Sequence, residues 1–485
     1  MILLTLRMIF FMTAIVSQLS AVSSLNSPKV IVIGGGIAGL TTAYRLQQEG
    51  MNTHLYEARG RVGGRILTAK INGHIAELGA QSITDGGEAI HLNRLIDEFG
   101  LQRASSRVYL QYAYFNGMNV IPINDILKNR SMDPDPLKKK LEELSLTSSN
   151  MQEVLEHIVN PQEYLYKTLA VRMAAYEGGT IDRLSPLYTE TLFHMLLGGL
   201  CSAHQGSDET HSYVDLVTIE GGNLLLPQKM REALGTKLHL NMPLVKVSKK
   251  ENGSFELTFK NNMKVEADIL VLAIPCSVYE DIDFEEGIIP SSKLEAIYKV
   301  NYGSNAKIMV PFTTPPLTRT SLVNDKIVSY FDRAQLILTL YHTGEGSLFS
   351  PETIAHSYIQ SRKMLEHGFE NCPSFATPLY AKDEAYLSYE GPIGYSWPND
   401  PYAKGSYSYI ASGQENVFTS KVDKNGETFK ALFSPLNKNL YFAGEHTSIL
   451  FDVPGTMEAA CESGERIART ILKNKAGSNK TSKSN

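Results

Sequence analysis

Gly34, Gly36 and Gly39 stand directly behind Lys29-Val30-Ile31-Val32-Ile33, a run of β-formers. Glycines at this spacing can hold a diphosphate. Gly34 permits the tight turn, Gly36 lets a diphosphate approach the backbone, and Gly39 lets a helix pack close to the strand. The diphosphate then rests at a helix N-terminus, where free N–H groups and the helix dipole favour negative charge. An amphipathic run through Leu40, Ala43, Tyr44 and Leu46 leads to a second strand-like segment ending at Glu57. A carboxylate placed there, about 20 residues on, accepts ribose hydroxyls. Strand, glycine turn, helix, strand and acid together predict a Rossmann-like unit. The motif does not by itself choose between NAD and FAD. Glu57-Ala58-Arg59 and then Gly63-Gly64-Arg65 follow. A second glycine pair before an arginine predicts another close backbone approach, with a guanidinium for the diphosphate.

With these residues in view, the chain resembles the flavin-containing amine oxidase family. That group holds monoamine oxidases, polyamine oxidases, L-amino-acid oxidases and flavin-dependent histone lysine demethylases. The resemblance runs from about Lys29 to Leu472. It implies an FAD held by Gly34, Gly36, Gly39, Glu57, Arg59, Gly64 and Arg65. Gly79-Ala80 matches a pair that lies against the flavin ring in the family, and Val245 matches a valine at the adenine end. In Leu440-Tyr441-Phe442-Ala443-Gly444-Glu445-His446, Gly444 and Glu445 match residues on the ribityl chain, and the backbone of Met457 matches a contact to the flavin carbonyl. A helix starting there suits the negative charge that gathers on a reduced flavin.

Such chemistry needs little acid–base machinery, because the cofactor carries the hard step and the protein orients and tunes it. Lys307, in Tyr302-Gly303-Ser304-Asn305-Ala306-Lys307-Ile308-Met309-Val310, reads by pattern alone as a strand lysine facing solvent. The resemblance instead implies a lysine linked through water to flavin N5, favouring negative charge there. Trp397, the only tryptophan, opens Trp397-Pro398-Asn399-Asp400-Pro401-Tyr402-Ala403-Lys404-Gly405-Ser406-Tyr407. The resemblance places Trp397 beside the flavin and makes Tyr407 one wall of an aromatic cage that orients an amine. Three departures narrow the substrate. Ser406 stands where animal monoamine oxidases carry the flavin-linking cysteine, so the FAD is expected to be non-covalent. Thr456 stands where the second cage wall is tyrosine. Gly79-Ala80-Gln81-Ser82 lacks the arginine with which L-amino-acid oxidases pair the substrate carboxylate. A small monoamine or polyamine is the expected substrate, with dioxygen as acceptor and hydrogen peroxide as product. Asp85, Glu88 and Glu190 are the acids considered for a polyamine entrance. An L-amino-acid oxidase with a relocated carboxylate clamp is the runner-up. A related flavoprotein desaturase or protoporphyrinogen-type oxidase and a non-catalytic flavin-binding protein stand further back.

The elements that must position these residues predict an α/β fold. Its Rossmann-like FAD-binding domain is built from discontinuous segments, 28–100, 215–280 and 434–472. A helical substrate-side insertion (101–214) and an α+β substrate-binding domain (281–433) are interleaved. Ile66 to Leu78 reads as a hairpin turning at Asn72-Gly73. Ala267 to Pro275 is apolar on both faces, as a central parallel strand should be. Asp133-Pro134 reads as a helix start with Leu137, Leu141 and Leu144 on one face. The last residues, 473–485, are basic, rich in Ser, Asn and Lys, and expected to be disordered.

The chain of 485 residues, 43% hydrophobic and 20% charged, has the composition of a soluble globular protein. A net charge of −5 points to neither nucleic acid nor an anionic membrane as partner. Arg7, the apolar run Met8 to Val16 and the small residues through Ser24 fit a signal peptide cut near Ala21 or Ser23. That predicts a secreted or periplasmic protein with no stable membrane insertion, since spanning takes about 20 apolar residues. The four cysteines, Cys201, Cys276, Cys372 and Cys461, show no metal-like spacing. Cys276 and Cys461 read as buried thiols, and Cys201 with Cys372 as a conceivable disulfide. Asn129, Asn252 and Asn479 lie in N-x-Ser/Thr sequons.

Overall fold

The computed structural model describes residues 28–83, 88–109, 111–127, 133–199, 213–317, 320–369, 376–450 and 455–481. Residues 1–24, read from the sequence as a signal peptide, and Asp85, Asn129, Cys201 and Cys372 lie outside the described residues.

A five-stranded parallel sheet carries the first glycine turn. Its strand order is Leu440–Phe442, Ile269–Leu272, Lys29–Ile33, Asn52–Tyr56 and Leu238–His239. The strands come from widely separated parts of the chain, yet Lys29–Ile33 sits in the middle with Val30, Ile31 and Val32 fully buried. Ile269–Leu272 is buried between two neighbours, which is why it is apolar on both faces. The helices Ile37–Gln48 and Met457–Thr481 pack on this sheet through Leu40, Ala43, Leu46, Cys461, Ile467 and Ile471. An antiparallel meander of Leu244–Lys249, Phe255–Phe259 and Lys264–Ala267 covers the other face.

The second body is an eight-stranded sheet in which Asn305–Pro311 lies between Ile393–Ser396 and Ile337–Thr343, antiparallel to both. Every residue of Asn305–Pro311 is buried. The helix Tyr164–Glu177 packs against this sheet. Together these elements make the mixed α/β architecture expected from the sequence.

The Thr68–Ile71 and His74–Glu77 hairpin turns at Asn72 (φ 50°) and Gly73 (φ 85°), as the two-residue turn demands. Asp133 caps Pro134–Thr147, its carboxylate accepting from the Asp135 N–H, and Leu141 is buried.

Two expectations are corrected. The stretch after Leu101 is not helical at first. Arg103–Tyr109, Gln111–Phe115 and Val120–Pro122 are strands, and only from Ile123 do helices dominate. The tail is not wholly irregular, because Met457–Thr481 stays helical past Lys473. Lys473 pairs with Glu427 at 2.7 Å and Asn474 donates to the Tyr441 hydroxyl, which anchors that turn. Cys276 and Cys461 are free and buried. No helix of the described residues is long and apolar enough to cross a membrane.

Candidate active site

The glycine turn is shaped by what its missing side chains would strike. A Cβ on Gly34, whose φ is +106°, would lie 2.4 Å from the Ala273 carbonyl oxygen. One on Gly39 would lie 2.0 Å from the Gly34 carbonyl oxygen, so strand and helix are held at glycine distance. Gly36 differs. It precedes the Ile37–Gln48 helix at φ −69°, and a Cβ there meets no protein atom within 4 Å. Its side-chain space opens into a cavity. The second glycine pair lies against the first, with the Gly63 N–H donating to the Gly35 carbonyl at 2.8 Å.

Glu57 follows the Asn52–Tyr56 strand, and its carboxylate accepts from the Gly35 N–H at 2.5 Å and the Arg59 N–H at 2.8 Å. Burial pushes its pKa above the usual range, opposed by the Arg59 charge and these two donors. The Arg59 side chain faces away from the turn. It makes a bidentate pair with Asp400 (2.6 and 2.8 Å) and a further contact to Asp383. The Asp of the tryptophan motif therefore fastens that loop to the nucleotide half. Burial pushes Asp400 up, but Arg59 outweighs it and holds the carboxyl below its ordinary range. Asp400→Asn should destabilise the fold by at most roughly 3–5 kcal/mol, because the buried guanidinium loses its bidentate carboxylate and keeps only the more exposed Asp383. Since the folded pKa is depressed, this stabilisation is present above about pH 4 and fades as pH falls further. Urea denaturation of the two proteins at pH 7 and pH 3 checks both statements, the gap narrowing at the lower pH.

Arg65 donates to Glu445 at 2.9 Å and to the Ser406 carbonyl at 2.6 Å, and lies over the Tyr302 ring. Burial raises the Glu445 pKa, yet Arg65, His446 and the Ser408 hydroxyl bring it below the ordinary value. Gly444 (φ 142°) donates its N–H to the Ser463 hydroxyl. Val245 is the bulged residue between Leu244 and Lys246 and lines the cavity. Met457 begins the last helix, with the Thr456 hydroxyl accepting from the Ala459 N–H as its cap.

Gly34, Gly36, Glu57, Arg59, Gly63, Arg65, Val245, Gly444, Glu445 and Met457 line one cavity of about 1570 Å³, and Gly39 does not. Drug-sized ligands occupy pockets of roughly 300–1,000 Å³, so a dinucleotide and a substrate both have room. At the other side stand Lys307, Trp397, Tyr407, Gly79, Ala80 and Thr456. Lys307, 4% exposed, donates to the Glu77 and Gly79 carbonyls at 2.8 Å each and to Gln81 Oε1 at 3.0 Å. It is not the solvent-facing lysine that pattern alone suggested. The Trp397 indole N–H donates to the Leu78 carbonyl at 3.0 Å, and its ring would meet a Cβ on Gly79 at 3.1 Å. Cation, indole and Gly79-Ala80 turn thus share one wall. The Tyr407 hydroxyl donates to the Ala175 carbonyl at 2.5 Å, closing the C-terminal end of the Tyr164–Glu177 helix.

Sequence reasoning missed several lining residues. Tyr341 lies directly across the ladder from Lys307, and its hydroxyl donates to that of Tyr407 at 3.4 Å. Tyr330 donates to Gln81 Oε1 at 2.7 Å, fixing the amide that also takes Lys307. Arg172 and Glu177 line the cavity from the helix. None of these sits in a motif, although the strand alternation around Tyr341 was readable. Of the acids considered for an entrance, Glu190 lines the cavity, 87% exposed and 3.8 Å from His194, whereas Glu88 is exposed and not among the lining residues.

A cradle with open space at Gly36, joined to a chamber walled by lysine and aromatic rings, defines a dinucleotide-dependent redox protein. The chain belongs to the flavin-containing amine oxidoreductase family, whose model matches residues 37–472. It is 24% identical to an L-amino-acid oxidase of Demansia vestigiata over 481 residues, 92% of this chain and 87% of that protein. It is 25% identical to human amine oxidase [flavin-containing] B over 486 residues, covering 92% and 86%. Among solved structures, cyclohexylamine oxidase from Brevibacterium oxydans superposes with a TM-score of 0.68 at 19% identity, covering 92% of this chain and 99% of that one. Putrescine oxidase bound to putrescine gives 0.67 at 17% identity with the same coverage. The residues present fit a flavin of the dinucleotide type.

Proposed function

We propose that this chain is an FAD-dependent oxidase of a primary or secondary amine, and that a small monoamine or polyamine is its substrate. The observation that carries the reading is the meeting, in one cavity, of the Gly34–Gly39 cradle with Lys307, Trp397 and Tyr407. A bound flavin, held by Gly34, Gly36, Glu57, Arg65 and Gly444, would supply hydride acceptance from the carbon beside the amine nitrogen and delivery of the electrons to dioxygen, with hydrogen peroxide as product. The Tyr407 and Tyr341 rings attract the amine and limit its orientations. Burial disfavours the ammonium form, so the nitrogen enters the reaction neutral. Lys307, fixed by three acceptors, holds a positive charge beside Gly79-Ala80 and stabilises negative charge arising there.

Non-covalent FAD is supported by Ser406, whose hydroxyl donates to Asn305, and by the two described cysteines, neither of which lines the cavity. Thr456 lines the cavity at the position where a second aromatic cage wall is expected. Export of the chain rests on its first 24 residues, and N-terminal sequencing of the mature protein from its native host tests it.

Anaerobic mixing of the purified flavoprotein with a panel of amines tests the function. Bleaching of the flavin absorbance by primary amines or polyamines is expected. A bound flavin that no amine or amino acid reduces would overturn the reading. A second reading, oxidation of an L-amino acid, is favoured by one specific side chain, Arg172.

A further inference from the structure

Arg172 lies on the Tyr164–Glu177 helix, three residues before the Ala175 carbonyl that takes the Tyr407 hydroxyl. Three residues advance about 4.5 Å along a helix, so it stands about one turn from the aromatic wall. It is 9% exposed and lines the cavity. Its guanidinium sits 4.1 Å from the centre of the Tyr112 ring, which also lines the cavity. Nη1 has no hydrogen-bond partner, and no carboxylate of the described residues pairs with the group.

A guanidinium does not lose its proton in a protein, so Arg172 is a buried cation in need of an anion. Glu177, at the end of the same helix, is the contrasting case. Its carboxylate accepts from the Thr191 hydroxyl at 2.5 Å, and burial pushes its pKa to about 7. Burial thus favours the neutral form of this carboxyl, a route not open to a guanidinium. With the Tyr112 ring over one side of the group, a planar, bidentate acceptor would have to meet the guanidinium edge.

We propose that Arg172, backed by Tyr112, is the anion-binding position of the substrate chamber, and that the substrate carries a carboxylate as well as its amine. This rests on amine oxidation at this site and takes the second reading, an amino acid, over the bare monoamine or polyamine. The arginine absent after Gly79-Ala80 is replaced from a different element.

The test uses the holoenzyme and pairs of compounds differing only in a carboxylate: L-leucine with isopentylamine, L-phenylalanine with phenethylamine, and 5-aminopentanoate with butylamine. At least one carboxylated member is expected to reduce the flavin with the higher kcat/KM. Arg172→Gln should lower that value roughly ten- to a hundredfold, mainly through KM, and cost the bare amine at least several-fold less. Arg172→Lys, which keeps the charge and loses the fork, should fall between and guards against a glutamine variant that fails to fold. A preference for the bare amine in every pair, or equal losses for both members in the variants, overturns the proposal. If no member reduces the flavin, the oxidation reading itself has failed. Calorimetry with 3-phenylpropanoate then decides the anion site separately. Binding to the parent protein and at least tenfold weaker binding to Arg172→Gln supports it, and equal or absent binding overturns it.

Discussion

Gly36→Asp is expected to give a folded protein that has lost its flavin. The backbone at Gly36 has φ −69°, which any L-residue adopts, and a Cβ there meets nothing of the chain. Aspartate also suits the position ahead of a helix, where its carboxylate can accept from the free N–H groups of the first turn. The same carboxylate occupies the place a diphosphate would take and repels it by like charge. Flavin affinity should fall by more than about a hundredfold, equivalent to roughly 3 kcal/mol. The readout is the flavin absorbance per polypeptide after purification, with the melting temperature compared against parent protein stripped of its flavin, since bound ligand stabilises by mass action. Equal melting temperatures with absent flavin are the expected pair of results, and a full complement of flavin would remove the cradle from the cofactor site. Gly34 and Gly39 cannot serve this test. A Cβ at either overlaps a carbonyl oxygen, so fold and cofactor would be lost together.

The cradle was legible in the sequence because it is local: turn, helix and acid all lie between Lys29 and Glu57. The hairpin at Asn72-Gly73 and the buried Ile269–Leu272 strand were legible for the same reason. The strands after Leu101 were not. Gln111–Phe115 pairs in parallel with Thr320–Val323, some two hundred positions away in the chain. Side-chain periodicity over such a short stretch, with Tyr112 to Phe115 all buried, does not reveal a partner that distant. The chamber splits along the same line. Trp397 and Tyr407 sit in a long contiguous motif, whereas Tyr341 acquires meaning only through the register that sets it opposite Lys307. Arg172 is further still from a motif. A lone arginine in a helix reads as a solvated side chain until the packing shows it buried on Tyr112.

Lys307→Met should leave the flavin bound and slow turnover about a hundredfold or more, the scale seen when a preorganised charge-stabilising donor is removed. Methionine is flexible enough to fill the space of the lysine stem in the fully buried Asn305–Pro311 strand. It donates no hydrogen bond, so the Glu77 and Gly79 carbonyls and Gln81 Oε1 lose the ammonium they share. Each buried acceptor left unmet costs roughly 1–3 kcal/mol, so a lower melting temperature accompanies the rate effect. Stopped-flow absorbance separates flavin reduction by amine from reoxidation by dioxygen, and normal rates in both phases would exclude Lys307 from the chemistry. The control is Glu77→Gln. Lys307 donates to the backbone carbonyl of Glu77, while the Glu77 carboxylate takes the Asn223 N–H and the Thr68 hydroxyl. Burial already pushes that carboxyl to about 7, with the nearby Lys307 charge among the opposing influences. Removing its charge should therefore change the rates only a few-fold, because the ammonium keeps all three of its acceptors. If Glu77→Gln were as slow as Lys307→Met, the Glu77 carboxyl rather than the positioned cation would govern the rate.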